Sequence, residues 1–142
     1  MSVRSYTKIW LHLIWGTHKR EKSLLNKEIR VKISNHLVEY SKQKGIYMKA
    51  NYVNSEHVHA LIDLPTDKTI EEVMRLIKGE SSLWINKQVD FKFLWGKGYG
   101  AFSVSESNLD KVVKYINGQE EHHRKKSYTE EYDEFLRAYK VS

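Results

Sequence analysis

Histidines at 57 and 59 flank a single valine in Glu56-His57-Val58-His59, and that spacing has chemical content. On a strand, residues two apart project to the same side, which sets their Cβ atoms about 6–7 Å apart. Two neutral imidazoles so placed can converge on one metal ion, which then needs further oxygen or nitrogen donors to complete its shell. A chain with seven His also yields His-x-His with no ligand role, and the spacing alone leaves both readings open. Tyr115 and Gln119, four residues apart on a helical segment, stand one above the other. Tyr115 borders the apolar stripe Leu109, Val112, Val113 and Ile116, which equally suits a ring packed at a boundary with its hydroxyl in water. His122 extends the Gln119 face, and His123 points elsewhere.

The elements that must position these residues follow from periodicity. Residues 6–15 alternate with apolar side chains on both faces, as a central strand does. Over residues 26–44, Ile29, Ile33, Leu37 and Tyr40 recur at helix spacing, and Gly45 ends the helix. Residues 46–53 and 57–64 alternate as a hairpin joined at Asn54-Ser55-Glu56, the second strand stopping at Pro65. In that strand Val58, Ala60, Ile62 and Leu64 share one face; His57, His59, Leu61 and Asp63 share the other. Thr69-Ile70-Glu71-Glu72 is a capping box for a second helix running to about residue 87. A loop with Trp95, Gly96 and Gly98 leads into a short strand over 99–104. Ser107-Asn108-Leu109-Asp110 reads as a second capping box, opening the helix that carries Tyr115, and a further helical piece starts near Thr129. This order predicts an α+β fold: a ferredoxin-like βαββαβ sandwich with an antiparallel sheet, plus an additional C-terminal helix carrying the tyrosine. Two helices would cover one face, and the histidine pair would sit on the open one.

Composition narrows the class. At 142 residues the chain predicts a single domain over 1–142, and with no Cys it has neither disulfides nor thiol chemistry. The start is polar and His12 interrupts the first apolar run, so neither a targeting signal nor a membrane span is expected, and the location expected is cytoplasmic. A net charge of +6 favours an anionic partner, of which nucleic acid is the commonest. Arg75 and Lys78 on the second helix and Lys97 in the glycine-containing loop are candidate phosphate contacts, or else solvated surface charges. Trp95 and Tyr99 could stack on unpaired bases or anchor the loop.

Taken together, His57-Val58-His59, Gly98-Tyr99-Gly100-Ala101-Phe102-Ser103 and Val113-Lys114-Tyr115-Ile116-Asn117-Gly118-Gln119 resemble one family over nearly the whole chain. It is the small single-tyrosine HUH transposases, which act on single-stranded DNA, with their REP-associated relatives. The resemblance implies that His57, His59 and Gln119 ligate a divalent ion, Mg²⁺ or Mn²⁺, and that Tyr115 is the nucleophile of a 5′-phosphotyrosine intermediate. It also implies single-stranded DNA with hairpin element ends as substrate, and a homodimer whose active sites are shared between subunits. A nearby cation favours the phenolate of a group whose ordinary pKa is about 10. This chain departs from many relatives in carrying Glu56 where they have Asp, and Gly118 within the tyrosine turn costs about 1 kcal/mol of helix propensity against Ala.

Two rival functions have sequence-level tests. An inactive or domesticated single-stranded nucleic-acid-binding protein of the same fold would keep these residues by descent and form no covalent adduct. A histidine-triad nucleotide hydrolase would want His at position 61, where Leu61 stands, and no second His-x-Thr/Ser motif follows His18 or His122.

Overall fold

The computed structural model describes residues 5–122 and 126–140. Its centre is β1 (Trp10–Gly16), which pairs antiparallel with both β3 (His57–Asp63) and β4 (Gly100–Val104). The hairpin partner of β3, β2 (Tyr47–Val53), forms one edge, so the sheet order is β2-β3-β1-β4. With α1 (Lys27–Gln43) joining β1 to β2 and α2 (Ile70–Gln88) joining β3 to β4, this is the ferredoxin-like α+β arrangement expected.

Local chemistry explains the boundaries. The Asn26 side chain caps α1 by accepting from the Ile29 N–H at 3.2 Å, and Gly45 leaves that helix at φ +73°. Thr69 caps α2 by accepting from the Glu72 N–H at 3.0 Å. Leu11, Leu13 and Trp15 of β1 join Val58, Ala60 and Ile62 of β3 under Ile33 and Leu37 of α1 and Val73, Met74 and Ile77 of α2.

The second face differs from expectation. Rather than lying open, it is covered by α3 (Leu109–Asn117) and α5 (Tyr128–Ala138), with the short α4 (Gln119–His122) between them in sequence. Leu109 and Ile116 pack on Trp10 and Leu61; Tyr128, Tyr132, Phe135 and Leu136 pack around Ile14 and Phe102. The cause is that β1 and β3 are apolar on both faces, so a one-sided sandwich would leave Trp10, Ile14 and Leu61 in water. The helix carrying Tyr115 begins without the foreseen capping box. A 3₁₀ turn over Glu106–Asn108 leads into it, Asn108 caps it with no side-chain bond, and Ser107 instead shares a 3.2 Å hydrogen bond with Ser105. The last helix is capped by Ser127, which accepts from the Glu130 N–H at 3.2 Å.

If α3 closes this face in solution, Ile116→Ala should lower stability by about 2–5 kcal/mol in urea unfolding, against about 0.5 kcal/mol or less for the exposed Lys114→Ala. Equal small losses at both positions would mean that α3 does not cover the sheet.

Candidate functional site

His57 and His59 lie on the face of β3 that α3 and α5 cover, and both are fully buried. They turn their Nε2 atoms toward one carboxylate, that of Glu131 on α5. Its Oε1 lies 2.8 Å from His59 Nε2 and 3.4 Å from His57 Nε2. The three residues form a buried group whose ligand atoms all lie within 4.8 Å of one another, close enough to hold one metal ion.

The other ring nitrogens are held from behind. Nδ1 of His57 faces Glu56 Oε1 at 3.2 Å, and Nδ1 of His59 shares a 2.8 Å hydrogen bond with Nε2 of His12. Such partners fix the tautomer and orientation of a histidine whose opposite nitrogen ligates. Because a carboxylate only accepts, the Glu56 contact makes Nδ1 of His57 the N–H. Asn54 Nδ2 lies 3.1 Å from Nε2 of the same ring. Burial, with the charge of His59 behind it, pushes His12 down to about 3, so it stays neutral at pH 7. Burial alone would raise the Glu131 carboxyl. Hydrogen bonds and charge from His57 and His59 outweigh that and hold it below its ordinary value.

Tyr115 reaches the same carboxylate: its hydroxyl donates to Glu131 Oε2, and its ring centroid lies 5.7 Å from that of His59. Gln119 stands behind it, Nε2 donating to Glu131 Oε2 at 3.2 Å and to the Tyr115 carbonyl at 3.3 Å. Its Oε1 is buried and has no hydrogen-bond partner among the described residues. Gly118 interrupts the helix between the two residues, and its N–H still bonds the Lys114 carbonyl at 3.0 Å. Tyr115 and Gln119 therefore sit on successive helices rather than one, yet remain stacked. His122 ends α4, but its side chain and all of His123 lie outside what is described.

Tyr128 stacks face to face on His57, centroids 4.1 Å apart at 6°. Burial, helped by Tyr132 and Glu56 and opposed by Arg20, pushes its phenol up to about 12. Beyond it opens a cavity of about 550 Å³, lined by His18, Lys19, Arg20, Lys97, Tyr99 and Tyr132 among others. Lys97 thus borders the site. Lys78 instead ties down the loop, its Nζ donating to the carbonyls of Gly96 at 2.8 Å and Gly98 at 2.9 Å. Arg75 is exposed on α2, across the sheet, 3.9 Å from Glu72. Trp95 anchors its loop, donating to Ser81 Oγ at 2.9 Å and meeting Trp15 edge-on. Leu61, where a third histidine would stand, is buried against α3.

Sequence reasoning missed Glu131, His12 and Asn54. Glu131 had a signal: it lies between Tyr128 and Tyr132 on the stripe that continues to Phe135, so helical spacing aims a carboxylate inward. His12 had one too, as a polar residue sharing strand parity with Trp10 and Ile14. The assembled donors suit a divalent ion: two imidazole nitrogens and a carboxylate, with the Gln119 amide packed against that carboxylate.

Comparison with known proteins adds the family. Residues 5–119 match the family model described as IS200-like transposase, a span that contains Tyr115 and Gln119 and ends before α5. The ISDra2 transposase TnpA of Deinococcus radiodurans is 27% identical over 115 residues, covering 76% of this chain and 81% of its own. The transposase of insertion sequence element IS200 from Salmonella typhimurium is 24% identical over 115 residues, covering 76% and 74%. A candidate transposase of D. radiodurans R1, solved by crystallography, superposes with a TM-score of 0.66 at 25% identity, over 84% of this chain and 97% of its own. A REP-associated tyrosine transposase solved with a REP hairpin shares the fold at a TM-score of 0.64 and 19% identity, over 87% and 73%. With the family model matching residues 5–119, most of the sequence, and a span that holds both buried histidines and Tyr115, this chain belongs to the IS200-like transposases.

Proposed function

We propose that this chain cuts and rejoins single-stranded DNA through a covalent bond between Tyr115 and a 5′-phosphate, in the cytoplasm, as the transposase of an insertion sequence. The observation that carries the reading is the shared carboxylate of Glu131, which takes the Tyr115 hydroxyl and the Gln119 amide on one oxygen and faces the Nε2 atoms of His57 and His59 with the other. His57, His59 and Gln119 would hold the ion through Nε2, Nε2 and Oε1. The chemistry such an ion, Mg²⁺ or Mn²⁺, would supply there is positive charge to polarise a non-bridging oxygen of the scissile phosphate and to offset charge developing in the transition state.

The chain's own residues do the rest. Glu56 and His12 fix the two imidazoles, and Tyr128, stacked on His57, excludes water from that side. Tyr115 attacks phosphorus: its oxygen forms the new P–O bond, the bond to the 3′-oxygen breaks, and the phenol proton is matched by the one the 3′-hydroxyl takes up. Since one ester replaces another, a 3′-hydroxyl can later reverse the step with no energy source, the usual benefit of a covalent intermediate. Lys97, with Lys19 and Arg20 on the same cavity, supplies charge for the phosphates flanking the break. Lys78 acts by holding the Lys97 loop and Arg75 by meeting a strand that passes α2. Hairpin ends are the proposed recognition element, supported by the relative solved with a REP hairpin.

The proposed protein is a homodimer. Tyr115 lies at the histidines of its own chain here, which supports a site filled from within each subunit; sites shared between subunits are the other outcome of a mixing experiment. Equimolar His57→Ala and Tyr115→Phe proteins, each inactive, should stay inactive when co-refolded. Restored cleavage would place nucleophile and histidines on different subunits.

Oligonucleotides from the flanks of the protein's own gene provide the main test. Wild type with Mg²⁺ or Mn²⁺ should cleave them and leave an SDS-resistant protein–DNA adduct, lost in EDTA and in Tyr115→Phe while hairpin binding persists. Cleavage by Tyr115→Phe would remove Tyr115 from the chemistry. Hairpin binding by wild type without any adduct would identify a domesticated DNA-binding protein.

A further inference from the structure

We infer that Glu131 is itself a ligand of the divalent ion, so that α5 supplies the carboxylate of a His57–His59–Glu131 centre and the ion fastens that helix to the sheet. The inference rests on the metal-dependent reading above. It reaches beyond the segment that matches the family, because Glu131 lies past residue 119.

Geometry comes first. Ligand atoms at neighbouring corners of an octahedron with bonds of about 2.1 Å lie about 3 Å apart. Glu131 Oε1 stands 2.8 Å from His59 Nε2, close to such an edge, and 3.4 Å from His57 Nε2, slightly wider than one. The carboxylate is 1% exposed and held in place by Tyr128, Tyr132 and Phe135 of its own helix, which pack on Ile14 and Phe102.

Hydrogen-bond direction comes second. A carboxylate only accepts, so Glu56 takes an N–H from Nδ1 of His57, and the ring's Nε2 is the atom turned toward Glu131 and Asn54. A divalent ion there would be shared by that Nε2 and Glu131 Oε1. Glu131 Oε2 meanwhile accepts from Tyr115 and Gln119, so one carboxylate would link the ion to the nucleophile.

The test is Mn²⁺ binding by the full chain without DNA, followed by the paramagnetic resonance of free Mn²⁺. Glu131→Gln, which keeps the shape but loses the charge, should bind at least about tenfold more weakly than wild type, while Glu131→Asp recovers part of the loss. Bound Mn²⁺ should also slow hydrogen exchange across α5 in wild type and leave α5 unchanged in Glu131→Gln. Equal or tighter binding by Glu131→Gln, with binding still lost in His57→Ala, would overturn the inference alone and make Glu131 an occupant that the ion displaces. Wild-type affinity in His57→Ala would overturn the metal reading and the inference together. Should Glu131→Gln fail to fold, exchange in the wild type decides: no protection of α5 by Mn²⁺ contradicts the inference.

Discussion

Burial of polar groups is the constraint on which this structure turns. Two imidazoles, a carboxylate, an amide and a phenol meet in the layer between the sheet and its second set of helices, where each must find a partner or cost on the order of a few kcal/mol. The partners come from four places in the sequence. β3 brings the histidines, β1 brings His12, α3 and the start of α4 bring Tyr115 and Gln119, and α5 brings Glu131. None of these segments can shift without breaking a bond made by another. The site is therefore also the polar seam that fixes how the second layer docks.

The apolar contacts on either side of that seam divide the labour. On one side α3 rests on Trp10 and Leu61; on the other α5 rests on Ile14 and Phe102. The hydroxyl of Tyr139 donates to the Ser103 carbonyl at 2.9 Å and pins the far end of α5 to β4. Gly16 matters here for space. A Cβ at that position would stand 2.9 Å from the Tyr128 ring, so the glycine lets the ring settle against β1 and stack on His57. Packing sets the approach of the helices, and the hydrogen bonds set their register.

Much of this could be read from the sequence, and what could not has physical causes. Alternation in β1 and β3 reveals which residues share a face, because the strand period of two is strict and both strands are buried. His57, His59, Tyr115 and Gln119 form a recognisable set, and the structure brings them together. What covers the second face was harder to see, since residues 119–140 are so charged that the stripe of Tyr128, Tyr132 and Phe135 is diluted. Glu131 sits on that stripe and looks like one more acidic surface residue until the helix is docked. The absent capping box at Ser107 is a different kind of miss: a 3₁₀ turn starts the helix one step later, and nothing in the four-residue pattern distinguishes the two. Lys78 reads as a surface cation by helical position, yet tertiary contact turns it inward to hold two loop carbonyls.

Strand cleavage as proposed requires that Tyr115, and no other tyrosine, carry the DNA. Tyr128 stacks on His57 with Tyr132 beside it, but burial holds both phenols above their ordinary pKa, with Tyr128 pushed up to about 12, so that little of either is phenolate near neutral pH. Trypsin separates the candidates, since Lys114 and Arg124 bound a peptide containing Tyr115, whereas Lys126 and Arg137 bound one containing Tyr128 and Tyr132. Mass spectrometry of the digested adduct should find the nucleotide on the first peptide, attached through a 5′-phosphate to Tyr115. A nucleotide on the second peptide would contradict the central claim.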